Sequence, residues 1–376
     1  MAYVESRRCN RHKRPALAAA LVPVCKVASA GLLTGALMMA APLSAQKLEE
    51  ISRPKGPLSL ESTGSFFVGG HAAKQNATEI GLYGDGEITV DQMYVQYLIP
   101  QKRSGLPVVM VHGGTLTGKS YETTPDGRMG WYEYFARRGF PSYVVDQVGR
   151  ARSGFNQAPF NAARAGAANP QSQPNLRRVA NDVAWVRFRF GPKAGEAFSD
   201  SQFPVAAASE FAKQAVPDLG QSFPAYDPNF SALAALAQQL KGAVLMGHSQ
   251  AGRYPFEAAL LAPSGIRALV AIEPPGCKAA EYSDDQITKL ARLPILVVYG
   301  DHLETPQSQG VSWLPFFQDC EKFVARVNAA KGNAKMLHTS ELGIRGNSHM
   351  IMQDRNNLQI ADLIIKWIRE MTRPAR

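Results

Sequence analysis

Apolar positions in this chain gather into short runs separated by mixed segments. Gly242-Ala243-Val244-Leu245-Met246 reads as a buried strand, and Arg253 to Ala262, rich in Ala and Leu, follows at helical length. Further strands are read at Pro107–Val111, Ser142–Val145, Ala268–Ile272, Ile295–Tyr299 and Lys335–Thr339. Continuous runs such as the first of these suit parallel strands covered on both faces. Helical segments lie between them. Trp131 to Arg138 is closed by Gly139, and Leu358 to Ile368 carries Ile360, Leu363, Ile364, Trp367 and Ile368 on one stripe. Strands alternating with helices predict an α/β architecture, a mostly parallel central sheet flanked by helices.

The ends and the middle depart from this rhythm. Residues 46–63 are polar and Pro-containing, an arm or linker. Ser65–Val68 reads as a strand stopped by Gly69-Gly70, and Ile88–Ile99 alternates as a second strand after the turn Gly84-Asp85-Gly86. The main domain is expected over 64–376. Within it, 155–240 is an insertion rich in Ala, Pro and Gln, of which only Leu176 to Phe190 looks regular. It is expected to form a lid or cap, because as free linker it would expose Trp185, Phe188, Phe190, Phe203, Phe211, Phe223, Tyr226 and Phe230.

A chain of 376 residues can bury a large core as one big domain. Its net charge of +10 is concentrated at the front, where residues 1–45 hold six Lys/Arg and one acid, leaving 35 basic against 30 acidic residues beyond. With no Lys/Arg run in that remainder, a nucleic-acid partner gains little support. The front itself is patterned as a signal peptide: Arg7 to Arg14, an apolar stretch Ala30 to Ala41, then Pro42-Leu43-Ser44-Ala45 with cleavage after Ala45. The apolar core is short and interrupted for a permanent span. A periplasmic or secreted bacterial protein is expected, without stable membrane insertion after cleavage. Arg7-Arg8 permits twin-arginine export but does not separate it from the general route. Cys9 and Cys25 leave with the leader. Cys277 and Cys320 remain, a candidate disulfide in an oxidising compartment, with two unrelated buried thiols as the alternative.

Between the strand ending at Met246 and the helix from Arg253 stands Gly247-His248-Ser249-Gln250-Ala251-Gly252. A serine at the apex of a strand–turn–helix is a nucleophile elbow, usually G-x-S-x-G; here Ala251 replaces the last glycine. Ala takes positive φ only at a cost, so ordinary helical dihedrals are expected at 251 and small volume is the requirement. Serine is a weak nucleophile without a base and an acid to orient that base. Of the seven histidines, His349 lies in Gly346-Asn347-Ser348-His349, a loop just past the last strand, and is the expected base. His12 is in the leader, His112 and His248 border turns, and His338 lies in a strand. The acid is ambiguous. Glu273 ends the strand after the nucleophile strand, where Pro274-Pro275 would hold it, and is preferred; Asp301 and Glu304 follow the next strand and stay as alternatives. The oxyanion donors expected are the backbone N–H groups of Gln250 and of the Gly113-Gly114-Thr115 stretch, Gly114 foremost. No cofactor or metal is expected, since histidines and acids do not cluster at ligand spacing in the sequence and no Gly-rich phosphate loop occurs.

These stretches together resemble the α/β-hydrolases of the bacterial esterase 713 type. The similarity is carried by His112-Gly113-Gly114-Thr115-Leu116-Thr117-Gly118, by Thr123-Thr124-Pro125-Asp126-Gly127-Arg128-Met129-Gly130-Trp131 and by Asp146-Gln147-Val148-Gly149-Arg150. Gly247 to Gly252, Ile272-Glu273-Pro274 and Gly346 to Met350 through Asn356-Asn357-Leu358 complete it, covering most of residues 64–370. The resemblance implies an α/β-hydrolase fold, a triad of Ser249, His349 and Glu273, oxyanion donors at Gly114 and Gln250, and a Cys277–Cys320 bridge. One departure stands out: the family type has adjacent cysteines where this chain has Gly114-Thr115. The vicinal disulfide that could stiffen the oxyanion loop is absent, which leaves loop rigidity and substrate preference open.

The function expected is a secreted serine carboxylic ester hydrolase acting on a small-molecule ester, apolar or aromatic by the content of the insertion. Amide or C–C bond hydrolysis by the same triad is the alternative. A non-catalytic binding protein on this scaffold is disfavoured because every triad member is present, and Ser249 argues against chemistry that needs a carboxylate nucleophile. The oligomeric state is not readable; a dimer is one option.

Overall fold

The computed structural model describes residues 46–52, 56–82, 84–219, 227–306 and 312–373. The expected signal peptide, 1–45, lies outside them, as do Phe223 and Tyr226. In chain order the strands are β1 (Leu60–Gln75), β2 (Gly86–Pro100), β3 (Val108–Val111), β4 (Ser142–Asp146), β5 (Leu176–Arg177), β6 (Asp218–Leu219), β7 (Ala243–His248), β8 (Ile266–Ile272), β9 (Ile295–Tyr299) and β10 (Ala334–His338). Eight of them form one sheet in the order β1-β2-β4-β3-β7-β8-β9-β10, while β5 and β6 pair as a small ribbon. β2 runs antiparallel to β1 and β4; every pairing from β4 to β10 is parallel. This is the mostly parallel sheet flanked by helices that the alternation of elements predicted.

The helices are α1 (Ala77–Ile80), α2 (Trp131–Arg137), α3 (Ala158–Arg164), α4 (Asn181–Arg187), α5 (Ala208–Ala212), α6 (Pro228–Gln239), α7 (Tyr254–Leu261), α8 (Asp284–Leu290), α9 (Leu314–Ala329) and α10 (Asn357–Met371). Because strand side chains alternate between faces, each strand feeds two cores. Val109, Val111, Leu245, Leu269 and Val297 point to one, shared with Phe230 and Leu233 of α6, Phe256 of α7 and Phe323 of α9. Val108, Met110, Met246, Val270 and Leu296 point to the other, with Trp131 and Phe135 of α2 and Ile360 and Ile364 of α10. The aromatic residues Phe188, Phe190, Phe203 and Phe211 of the insertion join this second core.

Three expectations need correction. Gly69-Gly70 does not stop the first strand: β1 continues to Gln75, extending into the arm at its other end as well. The two glycines take φ 70° and 86°, a conformation that costs a residue without Cβ little, and a Cβ at Gly70 would press on Gln92 and Thr89 at 3.2 Å. The insertion ends sooner than 240. Pro228–Gln239 is a helix against the sheet, started by Pro228 and by the Asp227 side chain accepting from Asn229 N–H, and it buries Phe230, Leu233 and Leu236. The remainder of the insertion is also more regular than expected, with α3, α4, α5 and the β5–β6 ribbon.

Cys277, in the loop after β8, is bonded to Cys320 on α9. Asp319 beside it accepts from Cys277 N–H at 2.6 Å and from Ala279 N–H at 3.1 Å, so the loop is fastened by covalent and polar links together. Among the described residues no helix is long and apolar enough to cross a membrane.

Candidate active site

β7 ends at His248 and the chain turns at Ser249, whose φ of 54° is left-handed, before a short turn leads into α7. A non-glycine residue held there costs about 1–3 kcal/mol. Neighbouring small residues make the turn possible. A Cβ at Gly247 would lie 1.9 Å from the Ala251 carbonyl oxygen, and one at Gly252 would lie 2.7 Å from Pro274 Cβ. Ala251 is not among the residues with positive φ and is fully buried, which is the volume requirement read from the sequence.

His349 arrives from the loop after β10. Its Nδ1 lies 3.0 Å from Glu273 Oε2, and both side chains are fully buried. The carboxylate accepts, so Nδ1 carries the hydrogen and Nε2 presents a lone pair. That Nε2 is buried and, among the described residues, makes no hydrogen bond to Ser249 or to any other group. The ring stacks on Phe188 at 5.2 Å and sits 4.3 Å from the Trp313 ring and 4.7 Å from that of His248. Its backbone is pinned on both sides: His349 N–H donates to Phe188 O and its carbonyl accepts from His248 Nε2, each at 2.9 Å. The approach to it is set by buried Asp354, which accepts from Ser348 N–H, Ser348 Oγ and Asn347 Nδ2 at 2.7–2.9 Å.

Glu273 follows directly on β8, itself at a positive φ of 51°. Its Oε1 accepts from Arg189 Nη2 at 2.6 Å and from Gly300 N–H. Burial alone would push the carboxyl up, but the Arg189 charge and His349 outweigh it and hold the group at about 2. Burial is also the largest influence on His349, bringing it down to about 4 against the pull of Glu273, with Arg189 and Arg187 adding to the depression. A neutral imidazole beside an ionised carboxylate is therefore the state at neutral pH. The ordinary imidazole value of 6.5 does not describe a ring enclosed by Phe188 and Trp313.

The other candidate acids are elsewhere. Asp301 accepts from His302 N–H at 2.8 Å and Gly346 N–H at 3.1 Å, and Glu304 is exposed. The fold does, against expectation, bring acids and a histidine together: Asp200, Asp301 and His302 place three donor atoms within 4.8 Å of one another. Segments a hundred residues apart supply them, so no spacing in the sequence announces the group. Its atoms already have protein partners, His302 Nε2 lying 2.8 Å from Asp200 Oδ1.

Across from the elbow runs the loop after β3. A Cβ at Gly113 would stand 2.8 Å from Ser249 Cβ, so glycine is what lets the loop pass this close. The N–H of Thr115 is taken by Asp218 Oδ2 at 2.9 Å. A Cβ at Gly114 would meet Gln250 Oε1 at 3.0 Å, which puts the two residues expected as oxyanion donors side by side. Buried Arg150 donates from Nη1 to Gln250 Oε1 at 2.6 Å and to Gln147 Oε1, and pairs ionically with Asp218. His112 behind the loop is neutral, its Nε2 accepting from Gln147 N–H and burial bringing it down to about 4.

Arg189 and Asp218 escape sequence reasoning altogether, and Arg150 enters it only inside a matching stretch. One signal was present. Arg189 stands between Phe188 and Phe190, and a charge inside an aromatic run has to find a partner when the run is buried.

No protein-family model matches the chain. A solved structure, described as that of a novel bacterial esterase, is 45% identical in sequence and superposes with a TM-score of 0.80, covering 86% of this chain and 99% of that one. Among curated proteins, a "probable secreted lipase phiG" from a fungal sp. (strain ATCC 74256) is 24% identical over 360 residues, spanning 84% of this chain and 92% of the relative. With that likeness to the bacterial esterase running along nearly its whole length, the chain belongs to the α/β-hydrolase superfamily and is a carboxylesterase-like hydrolase.

Proposed function

We propose that the protein is a secreted serine ester hydrolase in which Ser249 is the nucleophile, His349 the general base and Glu273 the acid that orients it. The observation that carries this reading is the buried His349–Glu273 contact at 3.0 Å, with the opposite ring nitrogen unpartnered. The strained elbow supports Ser249 as the nucleophile. Free enzymes often hold the serine–histidine bond loose until substrate is bound.

In this reading Ser249 Oγ attacks the ester carbonyl carbon as its proton passes to His349 Nε2. The oxygen gains negative charge and is met by the Gly114 and Gln250 N–H groups, one such donor contributing about 3–4 kcal/mol. The intermediate collapses, His349 returns the proton to the leaving alcohol, and an acyl-enzyme forms. Water then attacks the acyl carbon by the same proton route and frees Ser249. Phe188 and Trp313 against the base favour an apolar or aromatic ester. Export is supported by the leader-like front, by the Cys277–Cys320 disulfide and by the likeness to a fungal protein named as secreted.

The test is Ser249→Ala. Turnover of p-nitrophenyl esters and covalent labelling by a fluorophosphonate should both vanish while the circular dichroism spectrum is unchanged. Retained turnover in a folded Ser249→Ala protein would end the proposal.

A further inference from the structure

The proposed reaction needs Glu273 charged, with one oxygen turned to His349 Nδ1, in a place where the carboxylate is wholly removed from solvent. An isolated carboxylate in such a place takes up a proton instead. Arg189 from the insertion reaches exactly this group's far oxygen. Its Nη2 donates to Glu273 Oε1 at 2.6 Å, and its Nε donates to the Asp301 carbonyl at 2.7 Å. The guanidinium thus spans the ends of β8 and β9. It also lies over the Trp313 ring at 5.4 Å, and Trp313 in turn packs against His349.

The backbone is bent to deliver this side chain. Arg189 has φ 59°, a left-handed conformation costing about 1–2 kcal/mol for a residue with Cβ, just past the end of α4. The turn sends Phe188 toward His349 and Arg189 toward Glu273. Among the described residues Arg189 Nη1 is buried without a hydrogen-bond partner, so Nη2 and Nε make the bonds that hold the guanidinium there.

We propose that Arg189 is the positioning residue of the catalytic acid: it anchors Oε1 and supplies the countercharge, so that Oε2 stays ionised and aimed at His349. This rests on the Ser249–His349–Glu273 reading. The groups facing Glu273 and His349 are Arg189, Arg187, His248 and Tyr299, and Arg189 is the cation bonded to Glu273. The competing role is structural, a buried ion pair that joins the insertion to the sheet and nothing more.

The two roles differ in their pH profiles. The variants Arg189→Met and Arg189→Lys are compared with wild type for kcat and KM on p-nitrophenyl butyrate from pH 4 to 9, with active sites counted by fluorophosphonate. In Arg189→Met, kcat per labelled site should fall by about a hundredfold with KM within roughly threefold. Its acidic limb should move up by at least about one pH unit, because Glu273 without its countercharge takes up a proton. Arg189→Lys keeps the charge and loses the fork; kcat should fall about tenfold while the limb stays within about half a unit of wild type. A limb in Arg189→Met that superimposes on wild type overturns the proposal. Should the methionine variant not fold, an unchanged kcat in Arg189→Lys overturns it alone. A dead Ser249→Ala combined with a wild-type limb in Arg189→Met would keep the triad and remove this role.

Discussion

Thr115 N–H donates to Asp218 Oδ2 at 2.9 Å across 103 residues of chain, and the Thr115 carbonyl accepts from Val216 N–H at the same distance. One threonine, at a left-handed φ of 57°, is therefore gripped from both sides by the insertion. Asp218 also pairs with Arg150, which holds the Gln250 side chain. One buried carboxylate thus links the loop that carries Gly114 to Gln250.

Asp218→Asn tests that tie. The amide can still meet Thr115 N–H through its oxygen, but it no longer neutralises Arg150. We expect kcat on p-nitrophenyl esters to drop roughly 10- to 100-fold with KM nearly unchanged, since a displaced donor costs up to about 3–4 kcal/mol in the transition state alone. Steady-state kinetics decides it, and a wild-type kcat would separate Asp218 from the oxyanion loop.

The pH dependence should be unusual for a histidine base. In the proposed triad, activity requires neutral His349, whose pKa is brought down to about 4, and ionised Glu273, held at about 2. The acidic limb of kcat/KM should thus lie near pH 4, against the 6.5 of a free imidazole. Stability follows the same sign. Between about 4 and 6.5 the unfolded histidine binds a proton that the folded one refuses, so stability falls as pH drops through that window. The depressed Glu273 contributes stability above its unfolded value of 4.5 that is lost as pH falls towards 2. Initial rates in overlapping buffers and melting temperatures over the same range check both; a limb at 6.5 would contradict the enclosed base.

The Cys277–Cys320 bond closes a separation of 43 residues. Restricting a loop of that size in the unfolded chain contributes about 4 kcal/mol on the chain-entropy model. Cys277→Ser/Cys320→Ser should therefore melt several degrees below wild type in denaturation scans. Activity measured well below the transition should remain, because Cys277 in the loop after β8 and Cys320 on α9 are not members of the proposed triad. An unaltered melting temperature would count against a stabilising role.

Much of this was legible in the residues. Gly247 and Gly252 announce a close strand–helix crossing because their neighbours leave no room for a Cβ, and the position of His349 after the last strand follows from the order of elements. The choice of acid was legible only as a preference for Glu273. Glu273 and Asp301 both end strands, on neighbouring β8 and β9, and only the path of the side chains distinguishes them. Glu273 reaches the imidazole, whereas Asp301 turns back to His302 and Gly346. The length of β1 was hidden because glycine is the residue expected to end a strand and also the one able to continue it in an unusual conformation. Arg189 and Asp218 were hidden for another reason: their partners lie 84 and 103 residues away, and periodicity speaks only of near neighbours.

The region between β4 and α6 lends Arg189 to Glu273 and Asp218 to Thr115, both parts of the proposed reaction centre. An engineer who grafts that whole region from a relative to broaden substrate range would exchange working parts along with the walls. Altering exposed residues of α3 and the turns after it, while keeping 188–190 and 216–218 as they are, is the route that respects this division of labour.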